Sequence, residues 1–245
     1  MESPFIIYTL RRTGGTSLTA FMSRISSFPT VEHEPFNKDR RWSAVTLAVE
    51  RGEMKTDTLR ARLHEILSDR PNIKHAVEVV PIAIARALIG VCAELGYAQF
   101  VLHRRAEKDR LMSLFMAQAT GAWGPKDAAR LYPLLRSGEV SPNPIDLARV
   151  GERVRMDAAA LGETLMTLRG RGVDFGWLLF EEIYASPDAT VQAALAIAAR
   201  MGLDLTGTDD RLSVFSASSG QGTAEAMTLV PQSAEVKALL DRLLG

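Results

Sequence analysis

The sequence predicts an α/β fold: a single domain with a central parallel sheet flanked by helices, a phosphate loop after strand 1, and helical insertions. Short apolar, strand-like runs alternate with longer amphipathic stretches, which is typical of right-handed βαβ crossovers. The first strand ends in a glycine-containing turn that leads into a helix. A chain of 245 residues also suits one domain of this class, so we expect a single domain over residues 1–245.

The elements follow from the spacing of apolar residues along the chain. Strands are predicted at residues 5–10, 74–80, 99–103 and 175–180. Helices are predicted at residues 18–25, 43–51, 56–69, 82–95, 107–120, from 125 onward, 144–169, 188–201 and at the C-terminus. Residues 205–223 are rich in Thr, Ser, Gly and Asp, which indicates a long loop.

Composition excludes several classes of protein. Lys plus Arg and Asp plus Glu each total 29, and a formal net charge of zero argues against a dedicated nucleic-acid binder. The lone cysteine, Cys92, forms no internal disulfide and excludes a cysteine-based zinc site. No apolar run is long enough to span a bilayer, and the N-terminus lacks the basic region of a signal peptide. We therefore expect a cytoplasmic protein without a transmembrane segment.

The turn after the first strand has the residues of an anion site. Glycines allow close backbone approach, a helix N-terminus carries partial positive charge, and hydroxyl and guanidinium groups add donors. The candidate phosphate-binding residues are Arg11, Arg12, Thr13, Gly14, Gly15, Thr16 and Ser17. An ordinary strand-to-helix turn with two solvated arginines is the alternative. The loop is not a Walker A motif, because no lysine lies between Met1 and Lys38.

A second candidate anion site begins where the strand at 99–103 ends. Arg105 and Ser113 are eight residues apart, so a bend at the strand–helix junction is needed for them to meet around a phosphate. A solvated, charged helix start is the alternative for this stretch.

The two sites together resemble those of PAPS-dependent sulfotransferases, where PAPS is 3′-phosphoadenosine 5′-phosphosulfate. Arg12, Thr13 and Gly14 fall on the basic, hydroxyl and glycine positions of that family's phosphosulfate loop, while Gly15 and Arg11 depart from its pattern. An arginine and a serine spaced like Arg105 and Ser113 bind the 3′-phosphate in the family. Residues 113–123 look especially like bacterial sulfotransferases of the trehalose-modifying type. The stretch 179–183 resembles a strand end of the family, which implies a position near adenine for Phe180. A plain core phenylalanine is the alternative.

The resemblance implies transfer of a sulfuryl group from PAPS to a hydroxyl of a small-molecule acceptor of the carbohydrate or glycolipid kind. Arg12 then stabilises the leaving phosphate, and no metal is required. Glu34, in Glu-Pro-Phe-Asn, is our choice of general base, and His33 is its rival. In the alternative interpretation, Glu34 only pairs with an arginine of the loop.

Two other functions stay open at this point. One is a P-loop kinase-like phosphotransferase that uses ATP and Mg²⁺. The other is a non-enzymatic nucleotide-binding module on a degenerate sulfotransferase scaffold, which the Gly15 departure keeps in view. Residues 216–223 form either a segment that closes over the 3′-phosphate or a surface loop.

Overall fold

A computed structural model describes residues 1–212 and 223–245. Within these residues, five strands form one all-parallel sheet in the order β2-β3-β1-β4-β5. The strands are β1 (Phe5–Thr9), β2 (Val31–His33), β3 (Asn72–Ala76), β4 (Ala98–His103) and β5 (Phe175–Leu179). The prediction of an α/β fold with a central parallel sheet flanked by helices is confirmed.

One α-helix connects β1 to β2 and one connects β3 to β4, two connect β2 to β3, and three connect β4 to β5. The helices are α1 (Gly15–Ile25), α2 (Ser43–Glu50), α3 (Thr56–Ile66), α4 (Ile82–Glu94), α5 (Glu107–Thr120), α6 (Pro125–Ser137), α7 (Val150–Gly170), α8 (Phe180–Ile183), α9 (Pro187–Arg200), α10 (Thr223–Leu229) and α11 (Ser233–Leu244). Short 3₁₀ helices cover Leu147–Arg149 and Asp210–Leu212. The helix predicted at 144–169 therefore begins later, at Val150.

The strand predictions differ from the structure in two places. The second predicted strand, residues 74–80, lies instead at Asn72–Ala76, because the chain turns after Ala76 and the N–H of Val79 donates to the Ala76 carbonyl. Val77 and Val80, which follow the strand, are buried although they lie outside it. The three-residue strand β2 was not predicted at all, since it is too short for an alternating pattern to emerge.

The central strand β1 places alternate side chains in two different cores. Ile6 and Tyr8 pack with residues of α2, α3 and α4, and Phe5 and Ile7 pack with residues of α1 and α9. Burial on both faces explains why this strand is continuously apolar. The carboxyl end of β1 is thereby fixed between two helical layers, and the loop that follows it starts from a rigid position.

The described residues form two compact units. The first unit, residues 1–105 and 157–212, contains the whole sheet. The second unit, residues 106–156 and 223–245, is helical, with its own apolar core that includes Leu111 and Leu240. The expectation of a single domain over the whole chain stays a prediction. No helix within the described ranges combines the length and the apolar character needed to cross a membrane.

Candidate active site

The site lies where the sheet's connections change direction. The chain leaves β1 toward the β2 edge, whereas the connection from β3 passes over β1 to reach β4. In open parallel sheets, such a switch point at the carboxyl ends of the strands is where ligands bind. The turn after β1 occupies this position in the first unit.

The turn is held in a conformation that exposes backbone donors. Gly14 precedes α1 with φ of 78°, and Arg12 has φ of 70°, which is rare for a residue with a side chain. No side chain of the described residues caps α1. The first N–H groups of a helix have no intrahelical partner, so the start of α1 offers them to an anion. Backbone strain of this kind is concentrated at functional sites.

The hydroxyl groups of the loop take different directions. Thr13 is buried and donates to the Leu10 carbonyl at 2.7 Å, while its oxygen also contacts the hydroxyl of Thr9. Thr16 is exposed, and Ser17 is half-buried beside Tyr184. Burial raises the pKa of Tyr184 to about 12, although the Ser17 contact opposes this rise. Thr13 therefore stabilises the turn, whereas Thr16 and Ser17 face its outer side.

Aromatic side chains cover the loop glycine. A Cβ on Gly14 would lie 2.7 Å from Cε2 of Phe180 and 3.4 Å from Cε2 of Tyr184, so this position requires glycine for space as well as for φ. The guanidinium of Arg104 stacks 4.8 Å from the centre of the Phe180 ring and donates to the Arg12 carbonyl at 3.4 Å. Phe180, predicted to contact adenine, thus lies directly against the turn after β1.

A buried ion pair lies beside the loop on the β2 side of the sheet. Lys74, in β3, places Nζ 2.7 Å from Oε1 of Glu34, and Asn37 donates to the other carboxylate oxygen at 2.9 Å. The Lys74 and Glu34 side chains are only 11% and 18% exposed. Glu34 follows β2 with φ of 51°, a second residue in the left-handed region. Burial by itself would raise the pKa of Glu34, but Lys74 and Asn37 more than offset it and hold the pKa below its ordinary value.

Lys74 also explains the glycine at position 15. A Cβ on Gly15 would lie 3.3 Å from Cδ of Lys74, closer than ordinary contact. The absence of a side chain at Gly15 therefore makes room for the lysine stem to pass the first residue of α1. Gly15, which departs from the sulfotransferase pattern, is therefore explained by its contact with the lysine in β3.

Two histidines flank the carboxylate of Glu34. His33, the rival base, is the more exposed of the two, and desolvation together with Lys74 lowers its pKa. His75 is fully buried between the rings of Tyr8 and Phe36, and burial lowers its pKa to about 4. Its Nε2 has no hydrogen-bond partner among residues 1–212 and 223–245. Of the two histidines, only His33 is placed to meet a substrate from solvent.

The remaining arginines of the prediction are ion-paired. Arg11 donates through both its backbone N–H and its Nε to Oε1 of Glu78, each at 3.0 Å. Arg105 contacts Glu182 at 3.2 Å, with both side chains 67% exposed, and its backbone N–H donates to Glu181. Ser113 is buried in α5, in the second unit, so its predicted partnership with Arg105 stays a prediction.

No protein-family model matches this chain, and no curated protein matches its sequence. The site contains residues that the sequence pattern did not single out, namely Lys74, Glu78, Arg104 and Tyr184. Lys74 had one available signal, a lysine within a buried apolar strand, where an unpaired charge is costly. Most of the segment 216–223, for which closure over a phosphate was considered, lies outside the described residues.

Proposed function

We propose that the chain is an enzyme, a sulfotransferase that moves the sulfuryl group of PAPS onto a hydroxyl of a small-molecule acceptor. The observation that supports this best is the pairing of a carboxylate with an anion-binding turn. Glu34 is ionised and lies next to the turn, linked to it by Lys74, whose stem packs against Gly15. Transfer of a charged group to a hydroxyl needs both parts, a cradle for the anion and a base for the proton.

In the proposed reaction, Glu34 accepts the proton of the acceptor hydroxyl as that oxygen forms its bond to sulfur. The bond between sulfur and the bridging phosphate oxygen breaks, and its electron pair leaves with adenosine 3′,5′-bisphosphate. Arg12 and the N–H groups at the start of α1 stabilise the negative charge that grows on the departing oxygen. The amide of Asn37 donates to Oε2 of Glu34, which orients the carboxylate for proton transfer.

The nucleotide is assigned to the opposite side of the loop. Arg105 is proposed to bind the 3′-phosphate, and Phe180 to contact adenine. The exposed pair of Arg105 with Glu182 contributes little stability, so the guanidinium is readily given up to a phosphate dianion. Arg104, stacked on Phe180, adds a cation to this side of the loop.

One observation favours the kinase-like alternative. Lys74 supplies the lysine beside the loop that the sequence lacks between Met1 and Lys38. Under that alternative, Lys74 contacts the terminal phosphates of ATP, and Mg²⁺ is essential. The two functions differ in donor and in metal requirement, which gives a direct test.

The experiment offers ³⁵S-labelled PAPS, in EDTA, to a panel of sugars, glycolipids and simple alcohols, and γ-³²P-labelled ATP with Mg²⁺ to the same panel. We expect label transfer from PAPS to at least one acceptor and none from ATP, with loss of transfer in Glu34→Gln. Transfer from ATP alone would replace the sulfotransferase by the kinase-like enzyme. Tight nucleotide binding without transfer to any acceptor would favour the non-enzymatic module.

A further inference from the structure

Lys74 is a buried cation that lies between the carboxylate of Glu34 and the turn proposed to bind the donor's anion. Its ammonium now contacts Glu34 at 2.7 Å, and its Cδ lies against Gly15, the first residue of α1. Cδ is two bonds from Nζ, so the ammonium is within reach of both the carboxylate and the start of the helix. Rotation about the Cγ–Cδ and Cδ–Cε bonds moves the ammonium while Cδ stays against Gly15.

The surroundings allow Glu34 to keep its position when the lysine moves. Asn37 donates to Oε2 of Glu34 at 2.9 Å, and this contact does not involve Lys74. The other charged or titratable groups facing the carboxylate are Arg11, which is paired with Glu78, and the two histidines His33 and His75. Arg11 belongs to the loop, but its Nε lies 3.0 Å from Oε1 of Glu78.

We propose, resting on the function above, that Lys74 is a further catalytic residue whose ammonium leaves Glu34 for the anion when the donor binds at the loop. In the free protein it keeps the carboxylate ionised and paired. In the loaded site it neutralises the transferred group and the leaving phosphate. Lys74 retains its proton throughout, and the proton of the acceptor goes to Glu34 alone.

This exchange makes the base stronger only when the donor is present. A carboxylate that loses a lysine partner, while staying buried, has a higher affinity for a proton. General bases work best when their pKa lies near the operating pH, so Glu34 gains catalytic power on donor binding. Lys74 thereby couples binding of the donor at the turn to activation of Glu34 as the base.

The test follows the ¹³C signal of the Glu34 side-chain carboxylate by NMR, assigned with Glu34→Gln, as pH is varied with and without adenosine 3′,5′-bisphosphate. In the wild type, we expect the bisphosphate to raise the pKa of Glu34 by about 1 to 3 pH units. In Lys74→Met, the pKa is expected to be high already and to change little with nucleotide. Lys38→Met, which breaks an exposed pair with Glu50, is the control and is expected to behave like wild type.

The outcomes separate this inference from the proposed function. If the bisphosphate binds but leaves the pKa of Glu34 unchanged in the wild type, the inference is wrong and the function stands. The inference is also wrong if nucleotide raises this pKa equally in Lys74→Met, because the bound charge alone then causes the effect. If no bisphosphate binds at millimolar concentration, both proposals fall. If Lys74→Met does not fold, Lys74→Gln, which keeps a hydrogen-bond donor for Glu34 without the charge, takes its place in the same titration.

Discussion

Nζ of Lys74 lies 2.7 Å from Oε1 of Glu34, so this ion pair joins β3 to the segment that follows β2, beside the turn after β1. Removing one member of a buried ion pair leaves an uncompensated charge and typically costs about 3–5 kcal/mol. Glu34→Gln avoids part of this cost, since the amide keeps a hydrogen-bond acceptor for the ammonium. This variant therefore suits a test of chemistry rather than of folding.

Glu34→Gln is expected to lower the transfer rate at saturating PAPS by about 10²–10⁴-fold, the usual contribution of a general base. Nucleotide affinity should not weaken, because the substitution removes a competing anion from Lys74. The measurement is the rate of labelled sulfuryl transfer together with a calorimetric titration of adenosine 3′,5′-bisphosphate.

His33→Ala is the matched control for the base. We expect it to lose much less activity, since His33 is not held by the contacts that orient Glu34. If His33→Ala were nearly inactive while Glu34→Gln retained most of its rate, the histidine would be the base and the assignment of Glu34 would be wrong.

Arg105→Ala tests the 3′-phosphate site. We expect it to weaken binding of adenosine 3′,5′-bisphosphate by about 10- to 100-fold, the value of one charge-assisted hydrogen bond, and to leave adenosine 5′-phosphate almost unaffected. Arg86→Ala, which removes another exposed arginine paired with a glutamate, serves as control. Equal losses for both nucleotides in calorimetry would rule out a role for Arg105 at the 3′-phosphate.

Gly14→Ala tests the packing of the loop under Phe180. The new Cβ meets Phe180 at 2.7 Å and also forces a residue with a side chain to φ of 78°. Gly138 has φ of 77° with no atom of the described residues within 4 Å of such a Cβ, so Gly138→Ala isolates the backbone effect. We expect about 1–2 kcal/mol of destabilisation at Gly138 and about 1–3 kcal/mol more at Gly14, measured by urea unfolding. Equal losses at the two positions would show that Phe180 does not pack as described.

His75 should make the protein sensitive to mild acid. Burial lowers its folded-state pKa to about 4 from an ordinary 6.5, so its contribution is fully present above pH 6.5 and is lost as pH falls toward 4. The loss amounts to about 3 kcal/mol at pH 4. His75→Gln should flatten the fall in unfolding free energy between pH 6.5 and 4 relative to the wild type, measured by urea unfolding across that range. Parallel curves for the two proteins would contradict the burial of an uncharged His75.

The parts of the fold that depend on local pattern were predictable, and those that depend on distant contacts were not. Apolar runs located β1, β4 and β5, and the glycines located the turn before α1. The strand β2 is defined by pairing with β3 rather than by its own three residues. The role of Lys74 was not predictable for a similar reason, because it depends on a contact between distant parts of the chain. The structure brings this lysine from β3, 59 positions beyond Gly15, into the space that this glycine leaves.

The central claim is that the site recognises the nucleotide of PAPS, and a thermal-shift comparison tests it most directly. The protein is melted with adenosine 3′,5′-bisphosphate in EDTA and, separately, with ATP and Mg²⁺, each over a range of concentrations. A ligand at 100 times its Kd stabilises the folded state by about 2.7 kcal/mol, which is readily seen as a rise in Tm. We predict a saturable rise with the bisphosphate, reduced in Arg105→Ala, and no rise with ATP and Mg²⁺. A rise with ATP and Mg²⁺ alone, or with neither ligand, would contradict the account.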